Sequence, residues 1–386
     1  MFDVVLQVPV LDIAWKQFAL LVVTALAGGA FGAAIGALPA FIFTGFLVFL
    51  GEGIDILQRT IIGNTGVTPV PKGDFAAGIT GIIGFGAITG PHIAFAGGVA
   101  ASAYAGKRYP EMEPDGWDYH FGKDILYAFG TKPDILAVGA MFGLLGMLLF
   151  RVPLGLFSNV FEMTPPTDFI AFSVFATAFV ARVAFGYPLV GKPGGSGYLD
   201  MSPFEREEPR AAADGGEVPL EHQGRLATEP WLPHQYRWSG VAAIGLVGGI
   251  LGGYIYLQTG SIFLGYAISA ISLLFLNLGV EKIPVTHHIT LVGSVGAVVT
   301  TAAFADASNV VAPVQALGTT GAVAALLAAG VFGAISGLLG ELTQRLFYSH
   351  SGTHVDPLAM AIVIVTFPVG VLYLLGTVPN PGYLQL

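Results

Sequence analysis

Three of the eight histidines in this sequence, His92, His287 and His288, lie in or beside long apolar runs. An ionisable side chain at membrane depth marks a functional site by default. A neutral imidazole can donate, accept or ligate a cation, so these residues could line a solute pathway or hold an ion. The competing role is structural, with each ring bonding to backbone freed where a helix breaks, at Gly90-Pro91 and at Thr286. Gly90, Pro91 and Thr286 therefore join the histidines as candidate pathway residues.

Asp168 and Asp356 each precede an apolar run, and Pro357 follows Asp356. A carboxylate there caps the first turn by accepting backbone N–H groups, and Pro suits the first helical position. Both aspartates also belong to the candidate pathway, and Thr131 and Thr319 read as helix caps. YSHSGTHVDP places His350, His354 and Asp356 within seven residues, a spacing that could hold a divalent cation through imidazole and carboxylate. Loops of that composition are more often solvated. Glu52 and Asp55 read as an interfacial helix end, with proton or sodium coupling through Glu52 as the sharper alternative. KPGGSG at Lys192 lacks phosphate-loop spacing, and neither GxSxG nor HExxH occurs.

The elements that must position these residues are apolar throughout. Of 386 residues 54% are hydrophobic and 11% charged, which excludes a soluble enzyme. Net charge is −9 with no basic face, so nucleic acid is not a partner, and the absence of cysteine removes disulfides and thiolate chemistry. A spanning helix needs about 20 apolar residues. Ten runs qualify: Phe18 to Leu38, Pro39 to Leu57, Phe75 to Gly106, Pro133 to Phe150, Asp168 to Phe185, Trp238 to Leu257, Gly260 to Leu278, Val285 to Phe304, Gly321 to Phe347 and Asp356 to Leu375. The four tryptophans, Trp15, Trp117, Trp231 and Trp238, flank these runs as interfacial anchors do. MFDVVLQVPVLDIAWKQF has no basic n-region or small-residue cleavage site and reads as a short helix lying along the membrane.

Five runs stand on each side of Gly191 to Arg237, which reads as a surface linker with little structure of its own. LAGGAFGA at Leu26 matches LVGGILGG at Leu246, and GPHIAFAGGV at Gly90 matches THHITLVGSV at Thr286. Gly130-Thr131 matches Gly318-Thr319, and Asp168 matches Asp356. Four matches in one order predict a duplication that pairs His92 with His288. GxxxG spacings at Gly28/Gly32/Gly36, Gly139/Gly143, Gly245/Gly249/Gly253 and Gly333/Gly337 predict close helix packing.

The fold class expected is an all-α polytopic membrane protein: a first repeat over 1–185, a hydrophilic linker over 186–237 and a second repeat over 238–386, with broken helices near His92 and His288. If the third run crosses the bilayer, there are ten spans and the repeats are inverted. If it enters and returns, there are eight spans with two re-entrant segments. Ten spans put Lys16, Arg59, Lys72 and Arg151 on one side against the other 12 of the 16 Lys and Arg, linker included. Either topology puts the linker in the cytoplasm of a cell membrane. The leading expectation is a transporter or channel for a small solute or ion, with its pathway between the repeats. A membrane-embedded metal-dependent enzyme using His288, His354 and Asp356 is the competing class. A structural or partner-binding subunit, including a homo-oligomer built on glycine-rich faces, is the third.

Overall fold

The structure is a computed structural model that describes residues 7–65, 78–117, 119–210, 224–307 and 310–384. Lys72, the start of the third apolar run and the middle of the linker lie outside the described residues. Gln7–Val8 (β1) and Ile13–Ala14 (β2) pair antiparallel, so the expected surface helix is replaced by a hairpin. Pro9 has no N–H to donate, and Val10 and Asp12 adopt positive φ, which no helix accommodates.

Helices follow in the order α1 (Trp15–Ile35), α2 (Ala37–Thr65), α3 (Ala96–Arg108), α4 (Pro133–Gly155) and α5 (Phe169–Ala184). A short α6 (Ser202–Glu205) lies in the linker. The second half carries α7 (Trp238–Thr259), α8 (Phe263–Asn277), α9 (His287–Phe304), α10 (Thr319–Phe347) and α11 (Pro357–Leu374). Among the described residues seven helices are long and apolar enough to cross a membrane, and α5 and α8 are shorter apolar helices. Leu20, Val23, Phe43, Phe275, Leu327, Val331 and Phe367 are exposed, an outward apolar surface that suits lipid. The protein is membrane-embedded and helical.

Glycine decides the packing. A Cβ at Gly29 of α1 would strike the backbone of Gly139 and Gly143 of α4, and Gly97 of α3 lies against Gly29. In the second half, a Cβ at Gly249 of α7 would strike Ala329 and Gly333 of α10, and Gly293 of α9 lies against Gly249. With no side chains between them the backbones approach closely, which is how helices associate where lipid removes the hydrophobic drive. The two groups meet where α2 packs on α8 and α5 on α11.

Between Gly78 and α3 the third run is broken. A π-helical turn over Gly78–Gly84 gives way to a non-helical stretch before a second π-helical turn over Pro91–Phe95 leads into α3. Thr80 reaches Glu52, Gly84 lies against Val48 and the Thr89 carbonyl accepts from Thr44, so the chain climbs steadily along α2. It then continues past Gly28, Gly32 and Ala37 at Ile93, Ala94 and Gly98, without doubling back.

Several local expectations change. The chain near His288 is not a broken helix: α9 starts at His287, and α8 ended at Asn277. Pro284, with Lys282 at positive φ, keeps the intervening stretch out of a helix. Helix α2 runs on to Thr65, so Glu52 and Asp55 are interior to it. The caps of α4 and α10 are Lys132 and Gly318 rather than Thr131 and Thr319. Asp168 and Asp356 do cap α5 and α11, accepting from the N–H groups of Ala171 and Leu358 at 2.9 and 3.1 Å.

Candidate functional site

The candidate residues fall into separate surroundings. His92 is buried with its ring 4.7 Å from that of Phe150 and its carbonyl against Gly146. The chain break beside it is internally bonded, Gly90 N–H to Gly86 and Ile93 N–H to Gly90. His287 packs between Phe41 and Tyr266, at 4.7 and 5.7 Å between ring centroids. Thr286 and Thr290 both donate to Ser269 Oγ across to α8. From Tyr266 an aromatic series runs through Phe85 and Phe263 to Tyr383, whose hydroxyl donates to Asp168 at 2.7 Å.

His288, 1% exposed, borders a cavity. The other walls are Trp231, Leu232 and Gln235 of the linker, Val241, Leu358, and Gly337, Gly340, Glu341 and Gln344 of α10. The cavity is about 20 Å³, room for roughly one water molecule. Glycines at 337 and 340 create the space; a Cβ at Gly340 would lie 3.3 Å from His288 Nε2. Oε1 of Glu341 accepts from Gln344 Nε2 at 3.0 Å and from Arg345 Nε at 2.5 Å. Arg345 spends its other donors on the Leu199 and Tyr236 carbonyls of the linker. His288 Nδ1 has no hydrogen-bond partner.

A groove of about 780 Å³ opens outside this cavity, bordered by Phe204, His234, Arg237, Glu281 and Lys282 among others. Leu232 and Gln235 line both spaces, so they form the partition. Gln235 is held by a two-way bond to the Val285 backbone, donating to its carbonyl at 3.1 Å and accepting from its N–H at 2.9 Å.

Residues 225–231 of the linker therefore form a packed lid, while residues 192–196 and 205–207 stay exposed, so the expected loose surface segment is found in only part of the linker. Arg225 binds the Glu113 carboxylate and the Tyr119 carbonyl. Glu229 meets Lys123 at 2.6 Å, both side chains fully buried. Trp231 N–H donates to Gln344 Oε1, which also accepts from Ser349. These polar groups bury because each answers another, which makes the segment a specific closure. Burial pushes the Lys123 ammonium down to about 8, opposed by Glu229. Trp231 lies between the cavity and His354.

His350, His354 and Asp356 do not converge. His350 Nε2 bonds the Tyr198 carbonyl at 3.0 Å, and His354 is packed among Phe95, Trp231 and Tyr348 while Asp356 caps α11. Burial pushes His354 down to about 3, helped by the nearby Arg182 and Lys123 charges. Among the described residues no group of three or more His, Asp or Glu has metal-holding geometry.

Sequence reasoning missed Glu229, Trp231, Gln235, Lys123 and Glu341. Glu341 carried a readable signal, an acid within a long apolar run, but it stands near that run's end, where charges are ordinary. The linker residues carried none, because their partners lie far away in sequence.

A family model described as "Family of unknown function (DUF7973)" matches residues 10–386, and the chain belongs to that family. Neither the curated proteins nor the solved structures contain a match to the chain.

Proposed function

We propose, since the family's description carries no activity across, that this protein is a transporter or channel moving a small solute or ion between two inverted repeats of five elements. The observation that carries the reading is the open groove and the His288 cavity, which among the described residues share Leu232 and Gln235 as common wall. A solute entering from the linker side would meet that partition first, then His288 and His287. Beyond them Phe41, Tyr266, Phe85 and Tyr383 close the route in this conformation. Irregular backbone at membrane depth, as between the π-helical turns, is tolerated where it is buried in protein or faces a pathway.

The inverted duplication is supported by matching contacts: Gly28 against Ile93 and Gly248 against Ile289, then Gly32 against Ala94 and Gly252 against Thr290. The third run climbs along α2 in one direction, which fits a single crossing and ten spans in all. Twelve of the 16 Lys and Arg then fall on the linker side, which supports a cytoplasmic linker in a cell membrane. The chain has no native cysteine to remove. Single cysteines replacing Lys192 and Gln7, both exposed, are expected to react with an impermeant maleimide from opposite faces, Lys192→Cys from the cytoplasm, whereas eight spans would put both on one face. Labelling of both from one face would refute the ten-span arrangement.

Flux through proteoliposomes tests the pathway. Stopped-flow light scattering with a panel of small neutral solutes and salts should show uptake by the wild type. His288→Ala should change that flux several-fold while the protein stays folded by circular dichroism. Lys192→Ala, exposed on the linker and outside the walls of both spaces, should leave it unchanged. Equal flux in all three proteins would remove His288 from the route.

A further inference from the structure

Glu52 is an acid that the route leaves unused, and it stands within the apolar span of α2, which runs over Ala37–Ile61. Both of its oxygens are met by hydroxyls from outside α2. Thr80 Oγ1, in the π-helical turn of the first half, donates to Oε1 at 3.1 Å. Ser261 Oγ, just ahead of α8 in the second half, donates to Oε2 at 2.6 Å. None of the ionisable groups around it is its ion-pair partner. Asp55 and Arg59, on its own helix, pair with each other at 2.7 Å, and Arg59 also donates to the Val311 carbonyl in a loop that carries Asp306. The turn over Gly78–Gly84 has no ionisable residue, and α8 has only Tyr266. Among the described residues Glu52 belongs to no ion pair. A lone carboxylate at membrane depth is costly, and a proton neutralises it without further ligands or added space.

The two hydroxyls belong to the segments that carry the aromatic closure. The Phe85 N–H donates to the Thr80 carbonyl at 2.8 Å. Ser261 Oγ also accepts from the Leu264 N–H at 3.0 Å, which fixes the first turn of α8 and with it Phe263. The rings of Phe85 and Phe263 lie 5.1 Å apart, Phe85 reaches Tyr266 at 5.7 Å, and Phe263 reaches Tyr383 at 5.2 Å. One carboxylate therefore ties both sides of the closure together. Hydrogen bonds to an ionised acceptor are roughly twice as strong as those to a neutral one. When the carboxylate takes a proton from water it becomes a neutral carboxyl, with one O–H and less acceptor capacity. Both ties lose their charge assistance, and the hydroxyl facing the new O–H must turn its own hydrogen away.

We infer that Glu52 is a proton-binding residue that gates the route: its ionised carboxylate holds Phe85 against Phe263, and its protonation releases them. The inference rests on the pathway reading and names the ion that controls that same route.

The test uses the full chain in proteoliposomes. Infrared difference spectra between mildly acidic and mildly alkaline pH should contain a neutral-carboxyl band that Glu52→Gln lacks. Deuterium exchange over residues 78–90 and 260–266, corrected for its intrinsic pH dependence, should be several-fold faster at the acidic pH in the wild type. Glu52→Gln, whose amide copies the neutral acid, should exchange fast at both. Flux of the neutral-solute panel should rise several-fold on acidification in the wild type and be high and independent of pH in Glu52→Gln. If that variant does not fold, Thr80→Val removes one tie while keeping the side-chain shape. Its exchange at alkaline pH should match that of the wild type in acid. Replacing sodium by choline at constant pH should change none of these results. The absence of a Glu52-dependent band, exchange that ignores pH, a dependence on sodium instead, or a folded Thr80→Val protein that behaves as wild type overturns the inference. Flux indifferent to pH in a wild type that transports would leave the pathway standing and sink the proton gate. A titrating band with pH-dependent exchange but no flux at either pH would do the reverse.

Discussion

Glu229→Gln is expected to destabilise the protein by about 3–5 kcal/mol, the usual result of leaving one member of a buried ion pair alone. Lys123 and Glu229 meet at 2.6 Å with both side chains fully buried, and the Tyr348 ring, 4.5 Å from Nζ, cannot replace a full negative charge. Denaturant unfolding in detergent would measure the loss. The double variant Lys123→Met with Glu229→Leu should recover most of it, since apolar side chains of similar volume need no counter-charge. Alkaline conditions should also help the single variant. The folded-state pKa of Lys123 lies below its ordinary 10.5, so between the two values the unfolded chain binds more protons and stability rises with pH. Removing Glu229 lowers the folded value further and moves the start of that window down. A single variant as stable as wild type, with no pH dependence, would show that the lid does not depend on this pair. Because Glu229 lies only a few residues from Trp231, Leu232 and Gln235, loosening it should also open the cavity to the groove.

Gly29→Val and Gly249→Val are each expected to cost about 3 kcal/mol or more, and to yield aggregated protein on size-exclusion chromatography. The clash in each case is with backbone of the facing helix, Gly139 and Gly143 for the first and Ala329 and Gly333 for the second. Backbone in a packed helix pair cannot rotate away as a side chain can. Gly53→Ala is the control: Gly53 is exposed inside α2 with nothing near its Cβ position, and alanine there should be neutral or stabilising by up to about 1 kcal/mol. Equal penalties at Gly29 and Gly249 would add weight to the proposed duplication. Tolerance at one and collapse at the other would argue that the two contacts are not equivalent.

Much of the fold was legible because the signals are local. Hydropathy over about 20 residues delimits an apolar helix wherever the rest of the chain goes, and each of the ten runs corresponds to helical structure. Asp168 and Asp356 were readable as caps because a cap bonds its own first turn. Pro91 marked a real break. The misreadings were also local. Thr286 resembled a second break only through its likeness to the first, while α8 had already ended at Asn277 and Pro284 lies in the connection before α9. Thr131 and Thr319 were displaced as caps by Lys132 and Gly318, a shift of one residue that side-chain type alone does not resolve.

What the sequence determined by itself was a glycine-rich, membrane-embedded helical protein with buried histidines, since burial of apolar runs in lipid follows from composition and length. Which histidine faces a cavity was decided by tertiary structure alone. His92 and His288 occupy matching sequence contexts, yet one lies under Phe150 and the other beside Gly337 and Gly340, from a helix about fifty residues away. The lid was invisible for the same reason. Glu229, Trp231 and Gln235 read as ordinary linker residues until folding brings them to Lys123, Gln344 and Val285, and burial in matched pairs is what turns a polar segment into a closure.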